Sequence, residues 1–220
     1  MTKILHIDTA TPQCSVALSI GNELAGLRET GEKNAHSRVV TIFADELMKS
    51  ADLQPSDLDA VAVSMGPGSY TGLRIGVSAA KGFCYALRKP LIAVSTLQAM
   101  AAGMKEAISE DDELQPNILF CPMIDARRME VYSALYNTNL IEVREIRAQI
   151  ISEDSFSEEL EKHRICFAGD GAEKCKALLE THSNALFIDD FVPSAAYMIP
   201  IALEKFSDGE FEDVAYFEPF

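Results

Sequence analysis

Four features of this chain are of types that could do chemistry. Two aspartates, Asp8 and Asp125, end short apolar runs, and two glycine turns, Gly66-Pro67-Gly68-Ser69-Tyr70-Thr71-Gly72 and Gly169-Asp170-Gly171, precede helical patterns. Paired carboxylates can hold magnesium against nucleotide phosphates, and a glycine turn opening a helix can present N–H groups to an anion. One expectation is therefore an ATPase or phosphotransferase built on Asp8 and Asp125. The first turn lacks the Gly-Lys-Ser/Thr ending of a Walker A loop and does not follow Gly-x-Gly-x-x-Gly. Its Ser69 or Thr71 can cap a helix whose amino terminus binds an anion weakly. A peptidase reading through Ser69 is poorer still, because Gly-Pro-Gly-Ser is not a nucleophile elbow and no histidine lies near it.

Metal and thiol chemistry find less support. The histidines His6, His36, His163 and His182 include no pair four apart. The five cysteines are scattered without a Cys-x-x-Cys, which reads as small buried hydrophobes in a reducing compartment. No metal and no cofactor are expected. The net charge of −15 over 220 residues repels phosphate backbones, and Arg88–Lys89 and Arg127–Arg128 are the only adjacent cations. Nucleic acid, if involved, would be held by a partner. No stretch reaches the roughly 20 apolar residues of a membrane span, and the start has no signal-peptide pattern. A cytoplasmic protein is expected.

The elements that must position these residues follow from periodicity. Lys3–Asp8, Cys14–Ile20 and Glu23–Glu29 read as strands, the last two joined at Gly21–Asn22. Asn34 or Ser37 can cap a helix to Ser50, with Val39, Val40, Phe43 and Leu47 at the helical period. A strand at Asp59–Ser64, a helix over Thr71–Leu87, a strand at Pro90–Val94 and a helix capped by Ser95 or Thr96 follow. The polar, acidic Ser109–Pro116 then marks a boundary, giving lobes of 1–108 and 109–220.

After the boundary the pattern restarts. Met123–Glu145 can be laid on His6–Glu29, with Ile124–Asp125 on Ile7–Asp8 and Ala134–Leu135 on Ala17–Leu18. A helix over 154–162, a strand at Arg164–Ala168, the second glycine turn and a helix over Ala172–His182 complete the copy. A duplicated βββαβα unit predicts an α/β protein of two mixed sheets, each flanked by helices and facing across a cleft. That is the architecture of the actin-like ATPase (ASKHA, ribonuclease H-like) fold. Its vestigial nucleotide-cleft positions would be Asp8, Thr9, Asp125, Gly169, Asp170 and Gly171.

Gly72, Gly76 and Ala80 lie four apart inside the second helix. Helix-interior glycine costs about 1 kcal/mol against alanine, so each needs a reason, and close approach of a sheet or of another helix supplies one. The two helices together carry more apolar positions than one-sided burial needs, which favours a contact with a related chain.

The stretches ILHIDTATPQCSVALS, NAHS, GPGSYTGLRIGVSAAKGF and KPLIAVSTLQAMA resemble the TsaB (YeaZ) family, densely over Ile4–Ala102 and more thinly afterwards, where AGDGA still fits. The resemblance implies a non-catalytic paralogue of TsaD, which transfers a threonylcarbamoyl group to the tRNA adenosine next to the anticodon. TsaD's two metal-binding histidine positions fall on Thr96 and Met100, a weak hydroxyl and a soft thioether. The implied role is a scaffold that binds TsaD as a heterodimer, engages the ATPase TsaE, meets tRNA only through the complex, and forms a homodimer in isolation. The implied partner surface is His36, Val39, Val40, Phe43 and Leu47 of the first helix, with Gly72, Leu73, Gly76, Val77 and Ala80 of the second.

Overall fold

The computed structural model describes residues 1–32, 35–108 and 117–220. Its first half runs β1 (Lys3–Asp8), β2 (Cys14–Ile20), β3 (Glu23–Thr30), α1 (His36–Ser50), β4 (Ala60–Ser64), α2 (Tyr70–Leu87), β5 (Leu91–Val94) and α3 (Thr96–Ala107). Then come β6 (Ile118–Asp125), β7 (Glu130–Tyr136), β8 (Glu142–Ile150), α4 (Ser157–Leu160), β9 (Arg164–Ala168), α5 (Asp170–Leu179), β10 (Ala185–Ile188) and α6 (Ile199–Asp208).

The chain divides into two compact units, Met1–Ala99 with Ser194–Phe220, and Met100–Pro193. The division expected between 108 and 109 is thus displaced. The first crossing lies inside α3, and residues from Ser194 onward return to the first unit. Ser109–Pro116, which suggested the boundary, lies outside the described residues, as does Asn34, one of the two expected caps of α1. The other, Ser37, lies inside α1, whose cap position is Ala35 with no side-chain bond.

In the first unit the strand order is β3-β2-β1-β4-β5. β1 runs antiparallel to β2 and parallel to β4, and β4 runs parallel to β5. β1 and β4 are buried along almost their whole length, which requires cover on both faces. α1 packs on β2 and α2 on β4, while the 3-10 turn Ala195–Met198 and α6 lie against β1, β2 and β5. Leu5, Ile7, Val16, Leu18, Leu47 and Val77 belong to the resulting core. α2 starts as its sequence dictates: Ser69 Oγ accepts the Gly72 N–H at 3.2 Å. Pro200 stands in the first turn of α6, where its missing N–H is harmless.

In the second unit the order β10-β9-β6-β7-β8 repeats the first, with β6 in the place of β1 and β9 in that of β4. The duplication read from the sequence is therefore present in the strand topology. Two details differ. The helix expected over 154–162 is the single turn α4, and β10 has no counterpart in the sequence reading. Four half-buried residues give too short a period to stand out.

Candidate functional site

The turn after β1 is filled by the chain itself. Ser69 donates its N–H to Ala10 O at 2.6 Å, and Thr9 Oγ1 donates to Gly72 O at 2.8 Å. A Cβ on Gly68 would overlap Ala10 O, one on Gly72 would overlap Thr9 O, and one on Gly76 would overlap Thr9 Oγ1. These glycines exist so that the start of α2 can lie directly on the β1–β2 turn. Asp8 is buried beneath it, its Oδ1 accepting the Ala10 N–H at 3.0 Å. Burial pushes its pKa above the usual carboxylate value, against the opposing hydrogen bonds from Ala10 and Ser64.

The corresponding aspartate of the second unit is engaged differently. Asp125 is paired with Lys174, whose ammonium also donates to Glu130 O at 2.8 Å. The hydrogen bond from Lys174 holds the Asp125 carboxyl below the ordinary carboxylate range. Asp170, at the start of α5, accepts the Asp125 N–H at 2.9 Å, and a Cβ on Gly169 would overlap Met123 O. A lysine ammonium thus supplies the positive charge that a magnesium ion would bring, and Asp170 is turned to the backbone. Neither aspartate, in its own unit, fits a magnesium–phosphate group.

The two positions that the resemblance matches to metal ligands have other work. Thr96, fully buried, forms a reciprocal pair with the glycine turn: its N–H donates to Gly66 O at 3.0 Å and its Oγ1 accepts the Gly66 N–H at 3.2 Å. Met100 is buried, and its methyl lies where a Cβ on Gly169 would fall. Elsewhere His6 is buried with Nε2 2.9 Å from Ser19 Oγ, and burial lowers its pKa to about 3. All five cysteines are free and buried, and the Cys14 and Cys84 thiols are pushed up to about 11.

The faces of α1 and α2 correct the expected partner surface residue by residue. Val40, Leu47, Val77 and Ala80 belong to the core, Leu73 is buried, and Val39 and Phe43 pack against that core. Gly72 and Gly76 face Thr9, and His36 is half-buried with Nε2 3.0 Å from Thr11 O. The apolar and small-residue periods thus mark the inward faces. Outward stand Ile42, Tyr70 and Tyr85, with the Arg74 guanidinium 4.3 Å from the Tyr70 ring centroid. A groove between the helices is lined by Ser37, Thr41, Arg74, Ile75 and Ser78 among others. Gly82 follows Ser78 on the same row of α2, and a Cβ there would meet nothing within 4 Å.

The family model described as "TsaD: tRNA N6-adenosine threonylcarbamoyltransferase" matches residues 29–178. The Escherichia coli protein named "tRNA threonylcarbamoyladenosine biosynthesis protein TsaB" is 30% identical over 224 residues, covering 99% of this chain and 93% of that one. The chain belongs to the TsaB family. Among solved structures, YeaZ from Pseudomonas aeruginosa superposes with a TM-score of 0.83 at 24% identity, over 100% of this chain and 99% of that one. An activator of 2-hydroxyisocaproyl-CoA dehydratase from Clostridium difficile, solved with bound ADPNP, gives a TM-score of 0.50 at 10% identity, covering 96% and 99%. The chain therefore has the actin-like ATPase fold, and the expectation drawn from its duplicated strands stands.

Sequence reasoning missed Gly82 and the row Arg74–Ser78–Gly82 as the outward side of α2. A signal did exist. Gly82 lies outside the four-residue rhythm of Gly72 and Gly76, so it cannot share their packing. No described helix is long and apolar enough to cross a membrane.

Proposed function

We propose that this chain is a non-catalytic subunit of tRNA threonylcarbamoyladenosine biosynthesis, which binds TsaD through the outward faces of α1 and α2 and supports transfer of the threonylcarbamoyl group to tRNA. The observation that carries the proposal is the outer row of α2. Gly82 costs helix stability, a Cβ on it would meet nothing within 4 Å, and it lies beyond the inter-helix groove bordered by Arg74 and Ser78. Such a position suits close approach of a partner helix. The filled β1–β2 turn and the Asp125–Lys174 pair favour a supporting role over phosphoryl transfer. In this proposal TsaE engages the TsaB–TsaD pair, the same helices pair two copies when TsaD is absent, and tRNA is held by the partners.

The test is co-purification with the TsaD of the same organism, and reconstitution of tRNA modification, using Gly82→Asp and Arg74→Glu. Both substitutions are outward and leave the core intact, so folding should persist while TsaD binding and modification fall together. Full binding and full modification by both variants would remove this face from consideration. Gly76→Asp is unsuitable, since its side chain would collide with Thr9 whatever the partner does.

A further inference from the structure

Residues 212–220 close the first unit in a way that no motif announces. Glu212 donates its N–H to Leu91 O at 2.9 Å, an isolated antiparallel bridge on the free edge of β5. One hydrogen-bonded turn follows, with Tyr216 and Phe217 donating their N–H groups to Asp213 O at 3.2 and 2.8 Å. Asp213 Oδ1 accepts the N–H groups of Ala215 and Tyr216 at 2.7 and 3.1 Å, which caps its start. Its far end is capped from another element: Lys81 Nζ, on α2, donates to Ala215 O and Phe217 O at 3.1 and 3.0 Å. Phe217 enters the core and Val214 packs beside it. Phe220 then donates its N–H to Met65 O at 2.7 Å and lies against Gly66. Gly66 has φ +104°, a backbone region that only glycine adopts readily, and Thr96 holds it from the other side.

We infer that residues 212–220 are a latch that fixes the middle of α2 and the Met65–Gly66 turn, and so sets whether α2 is ordered for docking. Lys81 is the positioning residue. It joins the latch to the helix next to Gly82, while Phe220 joins the latch to the turn from which α2 starts. A capped turn whose end depends on one lysine can be released without dismantling the sheet beneath it. The docking half of this inference rests on the proposed function; the ordering half does not.

Hydrogen exchange on the free chain, together with titration against TsaD, tests both halves. In Lys81→Met we expect exchange over 65–72 and 212–220 to speed up by about tenfold, with affinity for TsaD falling by about tenfold. Peptides from β6 to β8 should be unchanged. Asp213→Ala, which removes the opposite cap, should give the same pattern, and Lys81→Arg should restore both readouts. Unaltered exchange in both Lys81→Met and Asp213→Ala overturns the latch, whatever the partner does. Faster exchange with undiminished affinity overturns its link to docking. Failure of the unsubstituted chain to bind TsaD sinks the proposed function and the docking half together, and leaves the exchange result to judge the latch alone.

Discussion

His6 shows how much of a residue's behaviour depends on what covers it. In the sequence it is a lone histidine in an apolar strand; in the structure it is sealed, with Ser19 beside one nitrogen and a pKa near 3. Below pH 6.5 the unfolded chain takes up a proton that the folded chain refuses. Stability should therefore fall from about pH 6.5 toward pH 3, at a slope of about 1.4 kcal/mol per pH unit. Asp8 acts in the opposite sense, because its raised pKa removes stability as pH rises above the unfolded carboxylate value. The clean measurement is a comparison with His6→Gln in urea melts at pH 7.5 and pH 5. The unsubstituted chain should lose about 2 kcal/mol more than the variant over that interval. Equal losses would show that His6 is not the group responsible. Asp8, Asp125 and both glycine turns were visible in the sequence as possible phosphate ligands. That the first aspartate is buried and the second is bonded to a lysine 49 residues away was not, since neither follows from local spacing.

At the scale of elements, α2 carries three glycines with two opposite assignments. Gly72 and Gly76 admit the β1–β2 turn, so alanine at either should destabilise the chain by about 1–3 kcal/mol through overpacking. Gly82 stands in open space, so Gly82→Ala should stabilise the free chain by about 1 kcal/mol. Thermal or urea melts of the three variants should therefore differ in sign, and a loss of stability in Gly82→Ala would contradict the open position. The four-residue rhythm of Gly72, Gly76 and Ala80 signalled close approach correctly. It could not say whether the approaching surface belonged to this chain, because a small residue leaves the same signature in either case. The strands of both sheets were legible because alternation and turn residues act locally. The latch was not. Its hydrogen bonds to Lys81 of α2 span 134 and 136 residues, and its single turn is too brief to display a period.

For the whole molecule, net charge is the most consequential sequence quantity. At −15 the field around the isolated chain opposes an RNA backbone, and the cations of the described surface are few and partly paired with acids. Filter binding at about 150 mM salt should show no retention of tRNA by this chain alone, and retention only when TsaD is present. Submicromolar binding by the isolated chain would contradict that division of labour. The two-fold repetition of strand order was recognisable because both copies keep the hairpin and the following parallel strand in the same sequence order. The return of residues 194–220 to the first unit was not, since a chain carries no mark of which sheet its last helix will rejoin.

The Thr96–Gly66 pair restricts what residue 96 can become. A histidine placed at 96 would exchange a compact hydroxyl for a bulky ring in a fully enclosed spot, and would release the amide of Gly66 that the hydroxyl now satisfies. Introducing a metal-binding ring at 96 by one substitution would thus first damage the turn from which α2 springs. The enclosure is in this respect a barrier: residue 96 cannot change its chemistry unless the turn gives way with it.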